Sequence, residues 1–188
     1  SSGVRPIAMA NPISMIKCSF PPIVPERAKL LILGTLPGEE SLRLQQYYGF
    51  GRNHFWALIA ALIQEPAPML YPDRIALMHA NRWALWDVLA GAERIGSSDA
   101  AIRNPSVNDF ATFFAANPTI EAVAFNGQKA HDIFRRHVVK AGMVDGARFT
   151  TIQLPSSSPL HTIPFEEKLD AWRTSLSVYL PDQKRRAK

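Results

Sequence analysis

Cysteine is almost absent from this chain: Cys18 stands alone among 188 residues. One thiol cannot form an intramolecular disulfide, and by itself it cannot ligate an iron–sulfur cluster or a cysteine-rich zinc site. No His/Cys/Asp grouping has metal-ligand spacing either, so the sequence predicts neither a metal nor a cofactor. Long apolar runs are also missing. None approaches the roughly 20 residues of a membrane span, and Ser1 to Ile16 lacks the continuous apolar stretch of a signal peptide. The expectation is a cytoplasmic protein without a membrane partner. A pervasive charge of one sign is lacking too, despite a formal total of +5. Four basic groups, Lys184, Arg185, Arg186 and Lys188, crowd the C-terminus, and without those four the rest of the chain carries only +1. Affinity for a polyanion must then come from a local patch and a basic tail, not from a global field.

What is present is an ordinary apolar complement, 47% against 20% charged residues, enough for one domain with a real core. Prolines at positions 6, 12, 21, 22 and 25 mark residues 1–27 as an extended, partly disordered arm. Residues 28–181 form the domain and 182–188 the basic tail. The domain is organised around Lys29 to Trp56, which opens on the unbroken run Leu30-Leu31-Ile32-Leu33. Such a run suits a parallel strand covered by helices on both faces. It stops at Gly34-Thr35-Leu36-Pro37-Gly38, where two glycines and a proline enforce a turn. A short helix from Glu39 follows, then the loop Tyr47-Tyr48-Gly49-Phe50, then Asn53-His54 ahead of an amphipathic helix from Phe55.

Further along, Arg74 to Asn81 reads as a helix and Trp83 to Leu89 as a second strand. Gly91 to Pro105 reads as a loop, and Ser106 to Asn117 as a helix capped by its serine. Strands at Glu121–Phe125 and Phe149–Leu154 alternate with helices at Gln128–Lys140 and Phe165–Tyr179. This alternation predicts a single-domain, three-layer α/β/α sandwich on a short, mainly parallel four-stranded sheet. Parallel strands end on one edge, so the Gly34 turn, Asn126-Gly127 and the segment Pro155 to His161 converge on one cleft.

In order, GTLPG, YYG, RNHFW, AFNG and LPSSSPLH resemble the uracil-DNA glycosylase superfamily. The likeness is closest to the branch holding the hypoxanthine-DNA glycosylases and the mismatch-specific uracil and thymine glycosylases, and it covers about Lys29 to Tyr179. It implies a monofunctional enzyme of base excision repair. Such an enzyme flips a damaged base from double-stranded DNA and hydrolyses its bond to the sugar, leaving an abasic site. By the same resemblance, Gly34, Thr35 and Leu36 border the base, Tyr48 stacks on it and Asn126 reads its edge. Ser156, Ser157, Ser158, His161 and Lys129 meet the DNA, and Leu160 is the wedge held between base steps.

One departure directs the assignment. Mismatch-specific uracil enzymes carry a water-positioning asparagine before the Pro-Gly pair, and here that residue is Leu36. An alkyl group cannot hold water, so a nearby polar group must substitute and Asn53 is the leading candidate; the hypoxanthine branch, which this sequence resembles in lacking the turn asparagine, implies an asparagine in this downstream segment and hypoxanthine over uracil. The acids Glu39 and Glu40 stand beside the turn, although first-turn acids also suit a helix dipole. The expected form is a monomer associated with the bacterial-type nucleoid through DNA. The alternatives are a mismatch-specific uracil/thymine enzyme and a catalytically silent DNA-binding relative. A serine hydrolase using Ser156 to Ser158, His161 and Asp132 or Asp170 is a third, though it lacks a Gly-x-Ser-x-Gly elbow.

If the tail meets phosphates, deleting the residues after Asp182 removes four basic groups and flattens the dependence of log affinity on log salt. Titrations of intact and truncated protein on undamaged duplex at several salt concentrations check this, and an unchanged slope makes the tail a bystander.

Overall fold

The computed structural model describes residues 15–94 and 102–181. The basic tail and the first part of the N-terminal arm lie outside these residues. In chain order the elements are β1 (Met15–Cys18), β2 (Leu30–Gly34), α1 (Glu39–Leu44), α2 (Phe55–Leu62), α3 (Tyr71–Ala80), β3 (Trp83–Asp87) and β4 (Leu89–Arg94). They continue with β5 (Ile102–Val107), α4 (Phe110–Ala116), β6 (Ala122–Asn126), α5 (Gln128–Phe134), β7 (Thr150–Leu154) and α6 (Phe165–Ser175).

Four strands make a wholly parallel sheet in the order β3-β2-β6-β7. The run Leu30 to Leu33 is fully buried, and its two-residue period divides it between two cores. Leu30 and Ile32 pack with Phe55, Leu58, Ile59, Met78, Leu169 and Trp172 of α2, α3 and α6. Leu31 and Leu33 pack on the opposite face with Phe110, Phe113 and Phe114 of α4 and Ile133 and Phe134 of α5. Two apolar faces on one strand demand a helical layer on each side, which is the three-layer sandwich.

The structure adds a second sheet, antiparallel and in the order β1-β4-β5. The segment read as a loop from Gly91 to Pro105 instead contributes β4 and β5, and β1 of the arm completes the sheet. The arm is thus extended yet fastened from Met15 onward. Ile23 forms an antiparallel bridge with Leu85, and the Tyr47 hydroxyl and the Trp86 indole both donate to the Phe20 carbonyl. Helix α4 starts later than expected. Asp109, not Ser106, caps it by accepting from the Thr112 N–H at 3.1 Å, while the Ser106 hydroxyl donates to the Gly91 carbonyl. The helix from Gln128 passes into a π-turn over Arg135–Val139, and the last one ends at Ser175 before a 3₁₀ turn.

Register brings Gly34 opposite Asp87 at the C-terminal edge of the parallel sheet. A β-carbon on Gly34 would lie 2.5 Å from the Tyr48 hydroxyl oxygen and 2.7 Å from Asp87 Oδ1. Neither neighbour yields easily, because the Tyr48 ring is stacked on Phe55 and Asp87 is buried. Gly34→Ala should therefore destabilise the fold by about 1–3 kcal/mol, the usual cost of overpacking, as read by urea denaturation. Stability within experimental error of the parent would show that Tyr48 and Asp87 can move aside.

Candidate active site

The chain runs from β2 to β3 on one side of the sheet and from β6 to β7 on the other, so the crevice of this open sheet lies between the ends of β2 and β6. Asn126 ends β6 there and is 8% exposed. Its Nδ2 donates to Ser157 Oγ at 2.8 Å and to the Tyr48 hydroxyl at 3.1 Å, and its Oδ1 accepts the Ser157 N–H at 2.8 Å. Both amide hydrogens are thereby spent inside the protein, so Asn126 has no donor left for a base edge. Only a second lone pair on Oδ1 remains for a ligand.

Two expectations change. Ser157 is 1% exposed, its Oγ accepting from Asn126 Nδ2 and its N–H donating to Asn126 Oδ1, so the structure places it as a buried tie and not at the surface where a DNA contact was expected. Leu36 turns its side chain into the core cluster that holds Val88 and Leu89, so that side chain is not presented at the turn. Thr35 is likewise buried, and its carbonyl accepts the Leu89 N–H.

The remaining members sit at the surface of the same edge. Tyr48 is half-buried and left-handed at φ 51°, with its ring stacked on Phe55 at a centroid distance of 4.0 Å. After β7, the Ser156 hydroxyl accepts the Ser158 N–H and the Ser158 hydroxyl accepts the Leu160 N–H, so the serines stiffen their own loop. Leu160 projects at 69% exposure, and His161 and Lys129 are exposed.

Asn53 precedes α2, and its Oδ1 accepts the Phe55 N–H at 2.9 Å, which fixes the plane of the amide. No protein group among the described residues takes its Nδ2 hydrogens, and Oδ1 retains a second lone pair. The adjacent His54 N–H donates to the Ser157 carbonyl at 3.0 Å, so the Asn53 loop is joined directly to the Asn126 clamp. His54 also lines a cavity of about 490 Å³ together with Gly51, Arg52, Pro159, His161, Thr162 and Ile163. Its Nδ1 is buried without a hydrogen-bond partner, and its ring meets Phe165 edge-on. Burial, and secondarily the charge of Lys168, hold the His54 pKa below its ordinary value.

Sequence reasoning missed two buried charged side chains. Lys168 of α6 is fully buried, and its ammonium donates to the Ser158 carbonyl at 3.0 Å. It occupies a core-facing helical position, which spacing within α6 could have flagged. Asp87 is 4% exposed at the crevice edge, an acid closing the apolar run Trp83 to Leu89. Burial and the Asp87 charge raise the Tyr47 phenol far above its usual range. Glu40, by contrast, is committed to Arg43 on the surface of α1. The serine-hydrolase arrangement does not form among the described residues. No imidazole bonds to Ser156, Ser157 or Ser158, while Asp132 accepts from Gln128 and Asp170 faces Arg173.

A histidine with a depressed folded pKa binds fewer protons than the unfolded chain, so stability is lost as pH falls from the ordinary value of 6.5 through the folded one. Melting temperatures from neutral pH into that acidic range should fall more steeply for the parent than for His54→Gln. Parallel profiles would exclude His54 as the source.

No family model matches the chain. It is, however, 38% identical over 145 residues to a Methanosarcina acetivorans protein named hypoxanthine DNA glycosylase, covering 77% of this chain and 87% of that one. A Methanosarcina barkeri protein of the same name is 38% identical over 117 residues, 62% of this chain and 74% of its own. The solution NMR structure of a candidate uracil DNA glycosylase from M. acetivorans superposes with a TM-score of 0.74 at 34% identity, covering 88% of this chain and 99% of that chain. The chain is therefore a DNA glycosylase, and it belongs to the hypoxanthine-DNA glycosylase family of the uracil-DNA glycosylase superfamily.

Proposed function

We propose that this DNA glycosylase excises hypoxanthine from double-stranded DNA, with Asn53 holding the attacking water. The observation that carries the proposal is the paired state of Leu36 and Asn53. The Leu36 side chain is buried in the core, so the turn offers no side chain to water, while Asn53 is locked in plane with acceptor and donor capacity left over. Water held there attacks C1′ of the sugar, the N-glycosidic bond breaks, and one water proton ends on the departing base. An amide is a poor base, so the catalysis is one of placement and of stabilising positive charge on the sugar. The buried Asp87 carboxylate supplies negative potential at the same edge.

Asn126 separates hypoxanthine from its parent base adenine, while the N3–H of uracil offers it the same donor. Its free Oδ1 lone pair accepts the N1–H of hypoxanthine and meets a second acceptor in adenine, whose N1 carries no proton. The names of the two Methanosarcina relatives support the same base. The exposed face of Tyr48 receives the flipped purine, opposite the face resting on Phe55. Ser156, Ser158, His161 and Lys129 take phosphates, and Leu160 fills the gap in the stack. In this reading the enzyme works as a monomer, without cofactor, and leaves the strand uncut. The structural neighbour's description keeps uracil as the second reading. Separate duplexes carrying hypoxanthine, uracil or thymine mismatches, scored for alkali-labile sites, decide between them.

The Asn53 side chain also accepts the first N–H of α2, so its removal must be tested with a residue that keeps that bond. Serine caps well but has no amide. Asn53→Ser should melt close to the parent yet release hypoxanthine about a hundredfold more slowly in single turnover, the scale of one lost transition-state contact. A stable and fully active serine variant would reduce Asn53 to a cap.

A further inference from the structure

Phe50 is 44% exposed, although it belongs to a segment whose neighbours Tyr47 and Phe55 are buried. It stands between Gly49 and Gly51, and its carbonyl accepts the Asn53 N–H at 2.9 Å, closing the tight turn Phe50-Gly51-Arg52-Asn53. The phenyl group is therefore one hydrogen-bonded turn away from the residue assigned to the water. A second exposed apolar side chain, Leu160, stands in the chain between Pro159 and His161, which line the same cavity as Gly51 and Arg52. Arg52, His54 and His161 are its charged or titratable lining groups, and none of its lining residues is an acid. Two exposed apolar side chains beside a groove that holds one fixed cation, Arg52, and no acid match the alternation of a nucleic acid, with stacked bases inside and phosphates outside.

We propose that Phe50 is a second wedge. It stacks on one of the two base pairs flanking the extrahelical nucleotide, while Leu160 contacts the other. Because the Phe50–Asn53 turn is closed by its own hydrogen bond, seating the ring against a base pair also sets the position of the Asn53 amide relative to the sugar. The duplex thus helps to assemble the site that acts on it. This inference rests on the glycosylase reading but not on which base is removed.

The test uses the intact protein with Phe50→Ala, Phe50→Trp and Leu160→Ala. In one arm, 2-aminopurine is placed on either side of a tetrahydrofuran abasic analogue in duplex DNA, so that no excisable base is involved. The parent should change the fluorescence on both sides. Phe50→Ala should lose the response on one side, Leu160→Ala on the other, and Phe50→Trp should restore it. In the second arm, hypoxanthine release is timed in duplex and in single-stranded DNA. Phe50→Ala should be slower by about tenfold on duplex, as expected for one lost stacking contact, and unchanged on the single strand, where there is no gap to hold. Equal slowing on both substrates, or a fluorescence response indifferent to Phe50, overturns the proposal. If the parent releases no hypoxanthine from either substrate while the fluorescence arm behaves as expected, the base assignment falls and the wedge stands.

Discussion

The two-point junction between Asn126 and Ser157 is the constraint on which the rest of the crevice depends. Asn126 ends one central strand and Ser157 lies just beyond the edge strand β7, so their bonds weld the β6 end to the loop after β7. The third bond, to the Tyr48 hydroxyl, draws in the loop after α1. The His54 N–H on the Ser157 carbonyl then adds the segment before α2. Three chain segments far apart in sequence, the loop between α1 and α2, the end of β6 and the loop after β7, meet around one buried amide. Removing the amide strands the buried Ser157 N–H and takes the donor from the buried Ser157 hydroxyl oxygen, each costing about 1–3 kcal/mol. The residue proposed to face the base is thus also the clamp that joins these segments.

Lys168 shows the same preference for rigidity over economy. A fully buried ammonium has three hydrogens to place, and here one goes to the Ser158 carbonyl. Desolvation lowers its pKa accordingly. The arrangement costs stability that an apolar residue would not, but it fixes the carbonyl of the loop that carries Leu160. With His54 holding the carbonyl one residue earlier, two consecutive peptide oxygens of the serine loop are anchored from inside. Such a loop can present Leu160 without reorganising when DNA arrives.

Much of this was legible in the sequence, for reasons that vary by element. The strands β2 and β6 and the helix from Phe55 announce themselves through unbroken apolar runs and periodicity, because their burial on two faces leaves little room for polar residues. Strands β4 and β5 were not legible. Their Gly91, Ser106 and Pro105 are turn-forming residues, and what makes them strands is pairing with each other and with β1. At the site, motif order pointed to Asn53, Tyr48 and Asn126 but could not show that Asn126 and Ser157 would spend their groups on one another. That pairing is a property of the tertiary fold. Asp87 was hidden for a different reason, being a single acid at the end of a run otherwise suited to a buried strand.

Charge explains why this rigidity matters. Apart from the four basic groups at the C-terminus, the chain is nearly neutral, at +1, and has no long-range field to concentrate DNA on its surface. Exposed cations near the crevice, such as Arg52 and Lys129, act only within about 8–10 Å at ordinary ionic strength. Recognition therefore has to come from contacts at van der Waals and hydrogen-bond range, where an error of 1 Å forfeits most of the interaction. A flexible crevice could not exploit contacts that short. The buried amide, the anchored carbonyls and the close approach of Tyr48 and Asp87 to Gly34 are what allow a weakly charged protein to act on a highly charged polymer.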